Sequence, residues 1–326
     1  MPTVSIISEG FLRPFLFNLI YVMKEKLDYK KVFETMVSET EKYLKKFNLK
    51  AMILGISGGI DSTVTAAICC EVVKRNPDIR FIGVSLPCTT NSKEENTSAL
   101  ATMKAFCPEG WTENLEECYQ KVLETTRKTL PSDTPISQGN IKARLRMIYL
   151  YNLASVIGGL VMDTDNLTEH YLGFFTIHGD VADFNPIGGL WKHEVYGLAA
   201  HLKDVYLKEQ NNDKIVAMTC GIKILPTDGN GVQAGGDMAQ IAPGHTYDEV
   251  DDILETFIEE IKPCWSTLKN GINEPTEELN AVYEKLQELN TKYGEETVER
   301  VIKRHLGSEY KRKRLPIAIG RDLYEE

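Results

Sequence analysis

MILGISGGIDSTVTAAICCEVV, Met52 to Val73, changes character twice within one short run. Met52 to Ile56 is continuously apolar and ends among glycines, whereas Ser62 to Val73 is a long apolar helical pattern. A strand, a tight loop and a helix therefore follow in order, the opening of a βα unit. In the loop, Gly58 and Gly59 let backbone approach an anion closely. Ser57 and Ser62 supply hydroxyls, and the start of the helix adds unpaired amides and the positive end of its dipole. Such a nest suits a chain of phosphates. No lysine follows the glycines, so this is not a Walker loop, and the spacing is not that of the G-x-G-x-x-G dinucleotide fingerprint. The plain alternative is a glycine turn in which Asp61 only caps the helix.

Working outward, Lys31 to Phe47 has the three- and four-residue apolar spacing of an amphipathic helix. Phe81 to Leu86 reads as a second buried strand and Lys93 to Phe106 as a second helix. A helix is expected over Ile141 to Val156 and strands over Leu160 to Met162 and, less clearly, Gly173 to Thr176. Strands alternating with helices predict an α/β, Rossmann-like parallel sheet covered on both faces, with ligands at the strand carboxyl ends. Pro226 to Gly244 is rich in glycine and small polar residues and has no core-forming pattern, so a mobile lid is expected there. Val250 to Ile261, Glu277 to Leu289 and Glu296 to His305 predict a helical C-terminal annex. The division expected is an N-terminal arm over residues 1 to 30 and one domain over 31 to 326.

Composition narrows the function classes. The chain has 326 residues, 42% of them hydrophobic, and 37 Lys plus Arg stand against 47 Asp plus Glu, a formal charge of −10. That balance argues against a broad grip on nucleic acid, and a polyanionic ligand must meet local positive charge. Seven cysteines show no C-x-x-C pair, so free thiols in a reducing cytoplasm are expected. The apolar stretch Phe11 to Met23 is broken by Arg13 and Pro14 and is too short to span a bilayer, so no membrane association is expected. A partner-covered arm and a true start at Met23 both remain open for it.

Gly55 to Ser62, GISGGIDS, resembles the S-G-G-x-D-S signature of PP-loop pyrophosphatases, which implies an adenine nucleotide alpha hydrolase-like fold and transfer of AMP with loss of pyrophosphate. GNIKARLRM (Gly139 to Met147) and MDTDNLTEHYLGFFTIHGDVADFNPIGGLWK (Met162 to Lys192) follow in order. Together they resemble ammonia-dependent NAD synthetase over residues 31 to 316, as does HTYDEVDDIL (His245 to Leu254). The resemblance implies that Gly55, Ile56, Ser57, Gly58, Gly59, Ile60, Asp61 and Ser62 hold ATP together with Thr164, Thr227 and Lys192. It assigns Mg2+ to Asp61 and Glu169, and the catalytic roles to Asp61 and Lys192. Arg144, Asp183, Tyr310 and Lys311 are placed on deamido-NAD. Each has a plainer reading: Glu169 as a helix cap, Lys192 as a solvated residue at a helix start, Lys311 to Arg314 as a basic tail, and His178 and His193 as surface or hydrogen-bonded histidines.

Departures from the family pattern fall on the substrate side. Ile177 stands in place of a lysine and His178 in place of a tyrosine, Asp163 in place of a glycine, and Val181, Ala182 and Asp183 shorten a G-G-T-D segment. Tyr310 takes the histidine position of a His-Lys pair. The resemblance implies amidation of deamido-NAD by ammonia through an acyl-adenylate, in a homodimer whose subunits build the site jointly. A glutamine-using form would need a further hydrolase domain, and only about 50 residues precede the first strand. Amidation of nicotinic acid mononucleotide or another small acid by the same chemistry is the alternative.

Overall fold

The computed structural model describes residues 27–130, 132–225, 241–269 and 276–312. The arm through residue 26, most of the expected lid, Thr227 and the end of the basic tail lie outside the described residues.

Helix α1 (Tyr29–Lys46) starts where the Asp28 carboxylate accepts from the amides of Lys30 and Lys31, and it ends on Lys45 and Lys46, complementing both ends of its dipole. Then come β1 (Ala51–Gly55), α2 (Ile60–Arg75), β2 (Arg80–Ser85) and α3 (Lys93–Phe106), each within two residues of its expected bounds. Strand β3 (Glu109–Thr112) was not expected. Its side chains are mostly exposed at the sheet edge, so the sequence carries no apolar run there. Helices α4 (Glu116–Arg127) and α5 (Pro135–Ile157) lead to β4 (Leu160–Met162) and the short α6 (Leu167–Leu172).

The strand expected over Gly173 to Thr176 does not form. Gly173 closes α6 with φ +66°, and the Gly173 and Phe175 carbonyls accept from Lys311 Nζ at 2.8 and 2.7 Å instead of pairing in a sheet. The apolar run has another cause: Phe174 lies under the Arg304 guanidinium, and Phe175 is buried beside His170.

Helices α7 (Lys192–Lys208) and α8 (Asn212–Lys223) complete the first half. The annex comprises α9 (Tyr247–Thr256), a wider turn over Phe257–Ile261, α10 (Trp265–Lys269), α11 (Glu277–Tyr293), α12 (Glu295–Gly307) and the short α13 (Glu309–Arg312).

All strands run parallel in the order β3-β2-β1-β4. Alternation along β1 sends Met52 and Leu54 into a core with α1, α2, α3, α7 and α8, and Ala51 and Ile53 into a core with α4 and α5. The annex forms a third core around Ile253, Phe257, Val301 and Trp191. Because β2 and β4 flank β1 on opposite sides, the chain switches direction at the carboxyl end of β1, which is where an open parallel sheet leaves a crevice.

Candidate active site

A cavity of about 470 Å³ opens at that switch point. The β1–α2 loop lines it with Gly55, Ile56, Ser57, Gly59, Ile60 and Asp61, and the turn after β4 contributes Thr164 and Asp165. The loop is held in shape by its own bonds. Ser57 Oγ accepts from the Gly59 amide at 3.2 Å and lies 3.0 Å from Ser62 Oγ, while Ser62 and Thr63 hydroxyls donate to the Gly59 carbonyl at 3.1 and 2.9 Å. Gly58 lies beneath with φ +88°. A Cβ there would stand 2.3 Å from the Glu95 carbonyl oxygen, so only glycine lets α3 pack this closely. Its carbonyl accepts from Ser98 Oγ at 2.6 Å. No side chain caps α2 at Gly59, which leaves first-turn amides available to an anion.

Asp61 stands in that first turn and is not the cap of α2. Its Oδ1 accepts from Asn166 Nδ2 at 2.9 Å and its Oδ2 from Lys192 Nζ at 2.5 Å, and Lys192 Nζ also reaches Glu169 Oε1 at 3.3 Å. Two carboxylates from different elements thus converge on one ammonium. The Lys192 side chain is 2% exposed, so the solvated-lysine reading does not hold. Glu169 does take the capping role, its Oε2 accepting from the amide of Asn166, the cap of α6, while its Oε1 faces Lys192.

The electrostatics follow from burial and charge. Burial alone would lower the Lys192 pKa, but the carboxylates of Asp61 and Glu169 outweigh it and hold the ammonium well above the ordinary lysine range. Burial pushes the Glu169 carboxyl up to about 7, opposed by Lys192 and reinforced by the charge of Asp61. By distance the tighter partner of Lys192 Nζ is Asp61, at 2.5 Å, with Glu169 at 3.3 Å. Among the described residues no cluster of three or more His, Cys, Asp or Glu could cage a metal. Two oxygen donors beside a phosphate nest suit a hard cation that takes its remaining ligands from phosphates and water, as magnesium does.

The cavity also carries cations beside the carboxylate of Asp180. Arg146, Arg304 and Lys311 line it, with Asn140 and Thr176. Arg146 Nε donates to the Leu86 carbonyl at 3.0 Å, and Arg304 Nε to that of Leu172 at 2.8 Å. Arg144 does not line this cavity: it is exposed on α5 and its Nη2 donates to the Ile177 carbonyl at 3.2 Å. Asp183 is also exposed and outside it, accepting from Tyr151 Oη at 3.0 Å and from the Val161 amide at 2.9 Å. Tyr310 is 63% exposed and is not part of the lining. His178 is exposed with φ +59°, and His193 is hydrogen-bonded to Asp251.

Sequence reasoning missed Asn166, Arg146 and Arg304. Asn166 and Arg146 lie inside motifs already quoted, next to the residues that drew attention. Arg304 lies on an amphipathic helix with no local signature, and only tertiary packing brings it to the cavity.

A glycine-and-serine phosphate cradle at the switch point of a parallel sheet, faced by a lysine and two carboxylates, defines a nucleotide-binding α/β protein of the PP-loop class. The model of the family described as NAD synthase matches residues 32–293, and the chain belongs to that family. An NH(3)-dependent NAD(+) synthetase of Chlorobium phaeovibrioides is 32% identical over 253 residues, 76% of this chain and 82% of the relative. One of Campylobacter jejuni strain RM1221 is 34% identical over 177 residues, 54% and 69% of the two chains. Among solved structures, NMN synthetase from Francisella tularensis superposes with a TM-score of 0.66 at 24% identity, covering 90% of this chain and all of the other. NH3-dependent NAD synthetase from Campylobacter jejuni gives a TM-score of 0.60 at 24% identity with the same coverage.

Proposed function

We propose that the protein is an ATP-dependent carbon–nitrogen ligase that amidates deamido-NAD with ammonia to give NAD. The observation that carries this reading is Lys192 Nζ held between Asp61 and Glu169 at the mouth of the phosphate cradle. Family membership and the names of the relatives supply the substrate.

A carboxylate oxygen of the nicotinate attacks the α-phosphorus of ATP, and the bond from that phosphorus to the oxygen bridging to the β-phosphate breaks, releasing pyrophosphate. The Gly55–Ser62 loop receives the departing diphosphate on backbone amides and hydroxyls fixed in advance, and Lys192 places a permanent positive charge beside it. Ammonia then attacks the acyl carbon, the bond from that carbon to the AMP oxygen breaks, and a proton leaves the nitrogen. Asp61 and Glu169 are the residues that would hold Mg2+, which when bound neutralises the charge gathering on the phosphates. Thr164 lines the nucleotide side, and Arg304 and Lys311 offer cations to the dinucleotide.

The homodimer is proposed from exposed residues along α5. Arg144, Ile148 and Tyr151 lie at helical spacing on one stripe, Tyr151 holds Asp183, and Ile148 is 67% exposed. In a symmetric pair this stripe carries Arg144 and Asp183 toward the partner's cavity. A second reading, amidation of the mononucleotide as named for the Francisella tularensis neighbour, draws on the missing cation at Ile177. Both are tested by incubating the protein with Mg-ATP, ammonia and either deamido-NAD or its mononucleotide, and identifying the product by mass. AMP release with formation of NAD supports the first reading. Release of ADP rejects the PP-loop chemistry, and no turnover with either acid rejects both substrate readings.

A further inference from the structure

Asp251 is fully buried on α9, in the annex, yet its carboxylate faces the start of α7. Oδ2 accepts from the His193 amide at 3.1 Å and from His193 Nδ1 at 2.8 Å, and Oδ1 accepts from Thr168 Oγ1 at 2.5 Å. Thr168 Oγ1 in turn accepts from the Lys192 amide at 2.8 Å. With its single proton directed at Asp251, the Thr168 hydroxyl must present a lone pair to Lys192 N–H, so the direction of every bond in the chain is fixed. The first two helical amides of α7 are satisfied from outside the helix, and a negative charge is set against the positive end of its dipole.

The placement matters because both ends of the arrangement adjoin the reacting cluster. Lys192 is the first residue of α7, and Thr168 immediately precedes Glu169 on α6. One carboxylate therefore ties together the two elements whose side chains meet at Asp61. We propose that Asp251, acting through Thr168, is a positioning residue for the ligase reaction: it touches no reactant, but it fixes where the Lys192 ammonium stands relative to Asp61 and Glu169. This inference rests on the amidation reading for its kinetic arm only.

Asp251→Asn keeps the shape but replaces one acceptor oxygen with a donor, which must then face either the His193 N–H groups or the Thr168 hydroxyl. The expected result is a fall of about 10- to 100-fold in kcat for AMP release with KM for ATP changed by less than about threefold, the pattern of a misplaced group and not of lost binding. Thr168→Val, which keeps volume and removes the hydroxyl, is expected to reproduce the loss, and Thr168→Ser to stay within about threefold of the parent protein. A second readout needs no turnover: limited acetylation followed by peptide mass spectrometry, in which Lys192 is protected in the parent protein and labels on the order of tenfold faster in Asp251→Asn and Thr168→Val. If the parent protein forms no AMP, the amidation reading fails while the labelling still decides the positioning. Should Asp251→Asn not fold, the Thr168 pair decides. Equal labelling of Lys192 in the parent, Thr168→Val and Thr168→Ser proteins, or parental kcat in Thr168→Val, overturns the proposal.

Discussion

Asp163 accepts a hydrogen bond from the amide of Ala182 at 2.9 Å. Its other oxygen accepts from the Asp165 amide at 2.8 Å and from Asn185 Nδ2 at 3.1 Å. Two departures from the family pattern, an acid at 163 and a shortened segment at 181–183, are thus one structural adjustment: the buried carboxylate satisfies donors of the tightened turn. Asp163→Gly, although it restores the family residue, is expected to lower unfolding free energy by about 1–3 kcal/mol, because donors are left without an acceptor. Chemical denaturation measures this, and a variant as stable as the parent would disconnect the two departures.

Removing the cluster's charges is expected to stop adenylation. Asp61→Asn and Glu169→Gln should each cut AMP release by about 10²–10³-fold, because charge placed for the transition state is lost. Asp61→Ala is a harsher change, since it also deprives a buried ammonium of its nearest partner, at a cost of about 3–5 kcal/mol. Thermal melts beside the assay separate the two effects. Near-parental AMP formation in Asp61→Asn would remove Asp61 from the reaction.

His305 makes stability depend on pH. It is fully buried, with Nδ1 on the Tyr171 carbonyl at 3.1 Å and Nε2 3.2 Å from Lys262 Nζ, so it is neutral and accepts from the ammonium. Burial, with the nearby charges of Arg312 and Lys262, pushes its pKa down to about 4. The unfolded chain takes up a proton near pH 6.5, where the folded protein does not. This contribution is therefore intact above pH about 6.5 and is lost as pH falls toward 4, up to about 3 kcal/mol in all. Denaturant titrations across that window should show the slope, and His305→Leu should flatten it while lowering stability overall.

Ile148→Asp tests the α5 stripe. The expected outcome is a monomer by light scattering, with nucleotide binding retained and AMP formation lost, because Arg144 and Asp183 no longer reach a partner. A variant that stays active as a monomer would confine the site to one chain.

Ile177→Lys is expected to raise kcat/KM for deamido-NAD about tenfold, the effect of one added favourable ion contact. Unchanged kcat/KM would mean that position 177 does not meet the dinucleotide.

The amino-acid order alone determined the β1–α2 unit and its phosphate loop, because a buried strand, a glycine turn and an apolar helix are each written in neighbouring residues. It also placed Asp61, Glu169 and Lys192 within recognisable segments. It could not show that Lys192 is buried, or that it lies between two acids 131 and 23 positions away in the chain, because no local periodicity encodes which helix starts face each other. Strand β3 escaped for the complementary reason: an edge strand with exposed side chains takes its hydrogen bonds from a neighbour and leaves no apolar pattern of its own. Arg304 and Asp251 likewise gained their positions only when the annex packed against α6 and α7. Local sequence fixes the conformation of each piece, whereas burial and opposed charges decide which pieces meet.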